Sequence, residues 1–194
     1  MKKILCIFFV LIQLQVHAQQ NRIKLGIAGV PIFQSGFGIG NIGYERLRKD
    51  MKASWQLLYS IAGGSPATDA AISNRKWLTV ERLWYFKTIN KKVGYYYSVF
   101  SEAGSRKTRP GHAHYPDTAW LKETKVTEIN PGVSLGILLK LGKRINLETA
   151  AGPKLMFQSG KEYYRNFRDN KDFTEPYKDT KFGLRFLFSF SYQF

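Results

Sequence analysis

The chain is poor in the residues that most side-chain chemistry needs. It has 1 cysteine and 3 histidines in 194 residues. Cys6 and His17 both fall within residues 1–18, a segment that reads below as removable, which leaves only His112 and His114. Without cysteine the remaining chain has no disulfide, no thiolate nucleophile and no cysteine metal site. Long apolar runs are missing too. The run from Ile4 to Leu14 is broken by Gln13 and falls short of the roughly 20 residues a helix needs to cross about 30 Å of hydrocarbon. No later stretch comes as close, so a membrane-spanning form of this chain has to be a closed β-barrel. Acidic residues are scarce as well, 14 against 30 lysines and arginines, for a formal net charge of +16.

What stands at the N-terminus is a secretory signal peptide in pattern. Lys2 and Lys3 precede the apolar run, and Val16-His17-Ala18 supplies tolerated residues at a cleavage position. Cleavage after Ala18 makes Gln19 the mature N-terminus, and losing Lys2 and Lys3 takes the charge from +16 to +14. Cys6 has no small residue before it and sits too near the start to be a lipoprotein attachment site. Residues 19–194 suit a single domain. A basic chain suggests nucleic acid, but export argues against that partner. Lipopolysaccharide phosphates or other anionic surface polymers fit better, and many of the charges read simply as solvated turns and loops.

Period-two alternation runs through the rest of the chain, since successive strand residues point to opposite faces. Residues 23–30 set Ile23, Leu25 and Ile27 against Lys24, Gly26 and Ala28. Residues 36–47 are glycine-rich, and residues 52–61 align Trp55, Leu57, Tyr59 and Ile61. Residues 77–87 are blurred because Arg82 shares a face with Leu78, Val80, Trp84 and Phe86. Residues 93–102 align Val93, Tyr95, Tyr97 and Val99, and two clean strands follow over 129–141 and 145–158. The last segment, 182–194, places Phe182, Leu184, Phe186, Phe188, Phe190, Tyr192 and Phe194 on one face. Eight strands result. Short turns at 48–51, 88–92 and 142–144 lie at one end, and loops at 62–76, 103–127 and 159–180 at the other.

Alternation by itself does not say which face is inside, because a soluble lipocalin-like barrel has the same period with its apolar face inward. The bulk of the closing strand's aromatics exceeds what a narrow lumen holds comfortably, whereas the opposite faces offer Gly, Ser, Asn and opposed charges. Trp77, Phe157 and Phe194 lie near strand ends, where interfacial aromatic girdles belong. These patterns predict an apolar outer face. On that assignment Ile137→Arg or Leu139→Arg costs roughly 2–4 kcal/mol at the bilayer midplane, and a small polar residue at Ser134 or Gly136 costs less.

The export signal, the even strand count, the long loops opposite short turns and the terminal phenylalanine together resemble small outer-membrane barrels of Gram-negative bacteria, of the OmpX, OmpW and OmpA-barrel type. The resemblance spans the chain and is architectural. It implies an all-β fold, an eight-stranded antiparallel up-and-down transmembrane β-barrel in the outer membrane, with outer-membrane lipid, lipopolysaccharide and the barrel-assembly machinery as partners. A terminal aromatic is the insertion signal of that family. No peptidoglycan-binding domain is expected after the barrel.

Catalysis and cofactors find little support. Ester cleavage by a lipid-modifying barrel enzyme needs a serine with a base in reach, and His112 and His114 lie in a long loop with no His-x-Ser arrangement. With Asp117 they could hold a metal only as an incomplete set, because structural zinc usually takes four ligands; no metal and no cofactor are expected. Six charges are predicted to face inward: Glu81, Glu102, Lys140, Glu148, Lys154 and Arg185. They read either as a selective pore or as a salt-bridge plug, and the narrow lumen of eight strands favours the plug. In the last loop Tyr163, Tyr164, Arg165 and Arg168 interleave aromatics with cations, a pattern suited to a surface ligand or protein. The leading expectation is a non-enzymatic structural or surface-interaction protein. A narrow transport barrel for a small or apolar molecule and a soluble periplasmic binding barrel remain as alternatives.

Overall fold

A computed structural model describes residues 21–29, 39–48, 52–64, 72–86, 92–109, 119–166 and 170–194. The signal segment, His112, His114, Asp117 and Arg168 lie outside the described residues. The eight strands are β1 Asn21–Gly29, β2 Ile39–Leu47, β3 Ala53–Gly64, β4 Ile72–Tyr85, β5 Val93–Arg109, β6 Ala119–Lys140, β7 Ile145–Asn166 and β8 Asp172–Gln193. Each pairs antiparallel with the next, and β1 closes the ring against β8 from Arg22↔Gln193 to Gly29↔Phe186. The fold is therefore an eight-stranded up-and-down β-barrel. Closure leaves no sheet edge around the lower wall.

The strands of the second half are longer than the alternation predicts. Much of what reads as loop at 62–76, 103–127 and 159–180 is strand. β4 begins at Ile72, β5 runs to Arg109, β6 begins at Ala119, and β7 and β8 meet across Asn166 and Asp172. The physical reason is that a ladder needs only backbone donors and acceptors, whereas the sequence signal needs one apolar face. In these extensions neither face is continuously apolar, so the period is silent although the hydrogen bonds continue. The barrel thus has a low wall at β1–β3 and a tall wall at β5–β8.

The faces fall as predicted. Leu25, Ile27, Trp55, Leu57, Val80, Tyr95, Val99, Val133, Leu135, Phe188 and Phe190 are all exposed on the outer surface. An apolar exterior this continuous is far larger than a water-facing protein tolerates. The blurred strand is also resolved: Arg82 lies outward, held over the rings of Trp55 at 5.0 Å and Trp84 at 5.6 Å. Trp84 stacks on Tyr97 with centroids 5.1 Å apart, so the turn end carries an aromatic collar. Trp77 departs from the girdle prediction. It is 5 % exposed and faces inward beneath Arg75, 4.6 Å from its ring. Its phase on β4, one residue out of step with Leu78 and Val80, decides its side; nearness to a strand end does not.

Inside, a small apolar cluster of Leu47, Leu58, Leu83, Tyr85, Tyr96 and Leu138 packs near the turn end. Gly136 makes space for it, because a β-carbon there would lie 2.1 Å from Tyr96 Cζ. A small polar residue at Gly136 therefore carries a steric cost that its place on the polar face does not reveal. Any side chain has to displace a buried ring, and cores resist overpacking. Ser134 is different: its hydroxyl already lies 2.6 Å from that of Ser98.

Candidate functional site

Five of the six predicted inward charges are buried in the lumen, and they belong to one connected ladder. Arg185 grips Glu81 through two parallel hydrogen bonds, 2.9 Å and 2.8 Å. Its Nε also lies 3.8 Å from Glu102. Lys154 Nζ approaches Glu102 at 2.8 Å. Glu148 bonds Lys24 Nζ and accepts the Tyr96 hydroxyl at 2.6 Å. Lys140 is the exception. It occupies the inward face at the last position of β6, half-exposed at the rim. Burying a lone charge is costly, and each of these partners removes that cost only while the other stays in place.

Sequence reading missed the rest of the ladder. At the turn end Glu45 receives Lys24 at 3.1 Å, Arg22 at 3.4 Å and the Tyr85 hydroxyl at 2.6 Å. Gln56 bridges Lys24 to Glu81. At the hairpin end Arg75 reaches Glu102 at 3.5 Å and Glu128 at 2.8 Å, and Glu128 also meets Arg106 at 3.3 Å. Parity alone places Lys24 opposite Ile23 and Leu25, so it was within reach of the alternation rule. Arg75 and Arg106 stood in segments that looked like loops, and Glu128 fell between the loop 103–127 and the strand 129–141, so no parity was assigned to any of them. Six cations and five carboxylates occupy the ladder, Arg22, Lys24, Arg75, Arg106, Lys154 and Arg185 against Glu45, Glu81, Glu102, Glu128 and Glu148. The lumen is close to neutral, and the +16 of the whole chain is carried elsewhere.

The tall wall carries part of it, in tiers set by strand register. Leu78, Ala103, Ile129 and Phe157 are successive cross-strand partners and form the upper edge of the apolar belt. The next outward-facing row reads Lys76, Ser105, Thr127, Ser159 and Lys178. Above it, Lys107, Lys125 and Lys161 stand directly opposite one another on β5, β6 and β7. All of the residues in these two rows are solvent-exposed except Lys107, which is half-exposed.

The rim above the lysines is a cleft of about 410 Å3, lined by Arg109, Glu123, Tyr163, Tyr164, Asp172, Phe173 and Thr174. Tyr164 stacks on Phe173 at 5.2 Å, and Lys125 sits 4.8 Å over the Tyr163 ring. Glu123 is the electrostatic hub, with Lys107 at 2.6 Å, Lys125 at 2.9 Å and Arg109 at 3.2 Å. Partial burial pushes its carboxyl up, but hydrogen bonds from Lys107, Lys125 and Arg109 outweigh that and pull it from 4.5 down to about 2. Of the predicted binding residues, Tyr163 and Tyr164 line the cleft. Arg165 turns to Asn170 at 2.8 Å and Asp172 at 3.8 Å. Among the described residues no three His, Cys, Asp or Glu side chains are grouped to hold a metal.

No protein-family model matches the chain, and no curated protein matches it. Solved structures do. A major outer membrane protein from Thermus thermophilus superposes with a TM-score of 0.58 at 11 % identity, covering 90 % of this chain and 99 % of that one. Neisserial surface protein A gives a TM-score of 0.52 at 12 % identity, over 90 % of this chain and 95 % of the other. At these identities the likeness concerns the fold.

Proposed function

We propose that this chain is a small outer-membrane β-barrel of a Gram-negative bacterium, exported with residues 1–18 removed, whose outer hairpins carry a structural or surface-interaction role. The observation that supports this most is the pairing of opposites across one wall, with an apolar exterior around a lumen filled by its own ion pairs. Only a solvent as apolar as lipid makes that arrangement favourable, because water would reverse the two faces. The names of the two similar structures, an outer membrane protein and a surface protein, point the same way. A soluble binding barrel requires the apolar face inside, so the exterior belt argues against it.

The hairpin end is where interaction chemistry concentrates. Its cleft combines stacked aromatic rings with guanidinium, ammonium and carboxylate groups, a mixture that suits sugars, anionic polymers or a protein surface. The role proposed for this end is binding. Insertion by the barrel-assembly machinery follows from the same reading. Membrane fractionation followed by electrophoresis with and without boiling tests it. An outer-membrane band whose mobility changes on heating is the expected result. A soluble periplasmic product indifferent to heating would sink the reading.

A further inference from the structure

The turn-end mouth of the lumen holds two cations that the ion-pair ladder leaves unanswered. We infer that Arg22 and Lys140 bind a small free tetrahedral oxyanion, of the phosphate or sulfate class, inside the barrel. The site goes beyond the surface role and lies at the opposite end of the wall from the hairpin cleft.

Arg22 stands near the start of β1, one inward position closer to the turn end than Lys24, and is 0 % exposed. Its Nη1 reaches Glu45 at 3.4 Å. Its Nε and Nη2 are buried and have no acceptor in the fold. These two atoms form one edge of the guanidinium, the edge that takes two oxygens of an anion side by side. Buried donors without acceptors are costly, and an arginine cannot relieve that cost by losing its proton. Glu45 does not close the gap. Lys24 draws on the same oxygen, Oε2, at 3.1 Å, and Oε1 accepts the Tyr85 hydroxyl at 2.6 Å.

Lys140 brings a second charge to the same place. Cross-strand register sets it opposite Asn146, Asn146 opposite Ser191, and Ser191 opposite Lys24. It lies close enough to Arg22 for the two charges to repel. Among the described residues no carboxylate pairs with it. Arg22, Lys24 and Lys140 thus stand against Glu45 and Glu148, three cations to two carboxylates. Water would fill the empty donors and leave the extra charge, whereas one anion answers both.

The shape of that anion follows from the donors. A carboxylate spends both oxygens on the Arg22 edge, and a halide offers a single centre. A tetrahedral oxyanion sets two oxygens on Arg22 and keeps a third for Lys140, where charge-assisted bonds are strong. Lys140 is half-exposed at the rim on a flexible stem, so the anion enters past it from the turn-end mouth. The wall is a closed ring and the site is on its inner side. A lipid headgroup lies against the other side, which leaves a free anion as the source.

The test uses the full mature chain folded in uncharged detergent micelles, with radiolabelled inorganic phosphate in equilibrium dialysis at an ionic strength held fixed with sodium chloride. Saturable binding of one phosphate per chain is expected, displaced by sulfate and far less by acetate. K140Q, which breaks no ion pair, should weaken it roughly tenfold, about 1.4 kcal/mol, and K140R should restore it. R22K keeps the charge and loses the two-donor edge, so it should weaken binding on the same scale. K143Q, an exposed cation in the turn after β6, should change nothing, and neither should phosphatidylglycerol added to the micelle. Binding that never saturates overturns the inference, as does K140Q binding as well as the unaltered chain or K143Q losing as much as K140Q. Displacement by phosphatidylglycerol overturns it too, because the ligand would then be a headgroup. A chain that never shows a heat-modifiable band fails the barrel reading itself, whereas a folded barrel that binds no phosphate fails this inference alone.

Discussion

Arg185 shows how much of this protein hangs on single buried charges. Its guanidinium serves Glu81 with two bonds, approaches Glu102, and lies 4.2 Å over the Phe100 ring. Arg185→Met removes that fork and leaves Glu81 with hydroxyl and amide contacts from Ser98, Ser134 and Gln56 and no cation of its own. A buried charge stripped of its partner costs about 3–5 kcal/mol. Urea unfolding in lipid vesicles is expected to show a loss of that size for R185M, and E81Q/R185M is expected to recover most of it. A single variant as stable as the original chain would mean that the ladder is solvated. Arg185 and Glu81 could be assigned to the inner face from parity, because β8 alternates clearly around Arg185 and Glu81 stands opposite the face that Leu78, Val80 and Trp84 share with Arg82 on the blurred β4. Their pairing could not, since 104 residues separate them in sequence.

At the scale of the strand pair, the upward extension of β5 and β6 is held by charge. Glu123 lies on β6 just beyond the bulge between Leu121 and Glu123 and gathers cations from β5 and from its own strand. Its carboxyl is depressed from 4.5 to about 2 in the fold. A depressed acid adds stability fully present above its unfolded value and lost as pH falls through its folded one. Hydrogen-exchange protection factors of the β5–β6 extension, taken relative to intrinsic amide exchange at each pH, should therefore be flat from neutral pH down to about 4.5 and fall as pH approaches about 2. E123Q should show the lower protection at neutral pH, with no step in that window. A step that persists in E123Q would move the cause to another carboxylate. These extensions were the least legible part of the chain. They mix charged and hydroxyl residues with a lone buried Val126, so a reading that looks for a continuous apolar face finds none.

For the molecule as a whole, the question is whether the barrel conducts. The ladder runs from Arg22 near the turn end to Arg106 at the hairpin end, and Glu45, Glu81 and Glu148 along it are fully buried. Eight strands enclose about enough room for side chains, and here charged side chains and a tyrosine cluster fill it. Planar bilayers containing the pure barrel are expected to show no steady ohmic conductance at neutral pH. A stable channel in the unaltered chain would revive the transport reading and require the ladder to open. The high net charge also finds its place at this scale. The ladder balances itself to within one charge on the described pairs, so the excess of cations over carboxylates lies outside it, in part on the tall wall.

The sequence by itself determined the strand count, the antiparallel up-and-down class, the outward apolar face and five buried members of the inner charge set. The strand count and the inner charge set follow from a period-two pattern, which is local and survives without knowledge of any neighbour, the outward face from the bulk of the closing strand's aromatics, and the up-and-down class from the resemblance to small outer-membrane barrels. Only the tertiary structure decided the partners. Register brings Lys107, Lys125 and Lys161 into one row, and the closed wall joins Lys24 to Glu148 and Glu81 to Arg185. Those outcomes depend on which residue stands across a ladder from which, and on the room a ring such as Tyr96 leaves. Ring closure fixes them, because a strand's neighbours are set by the whole circuit of the wall.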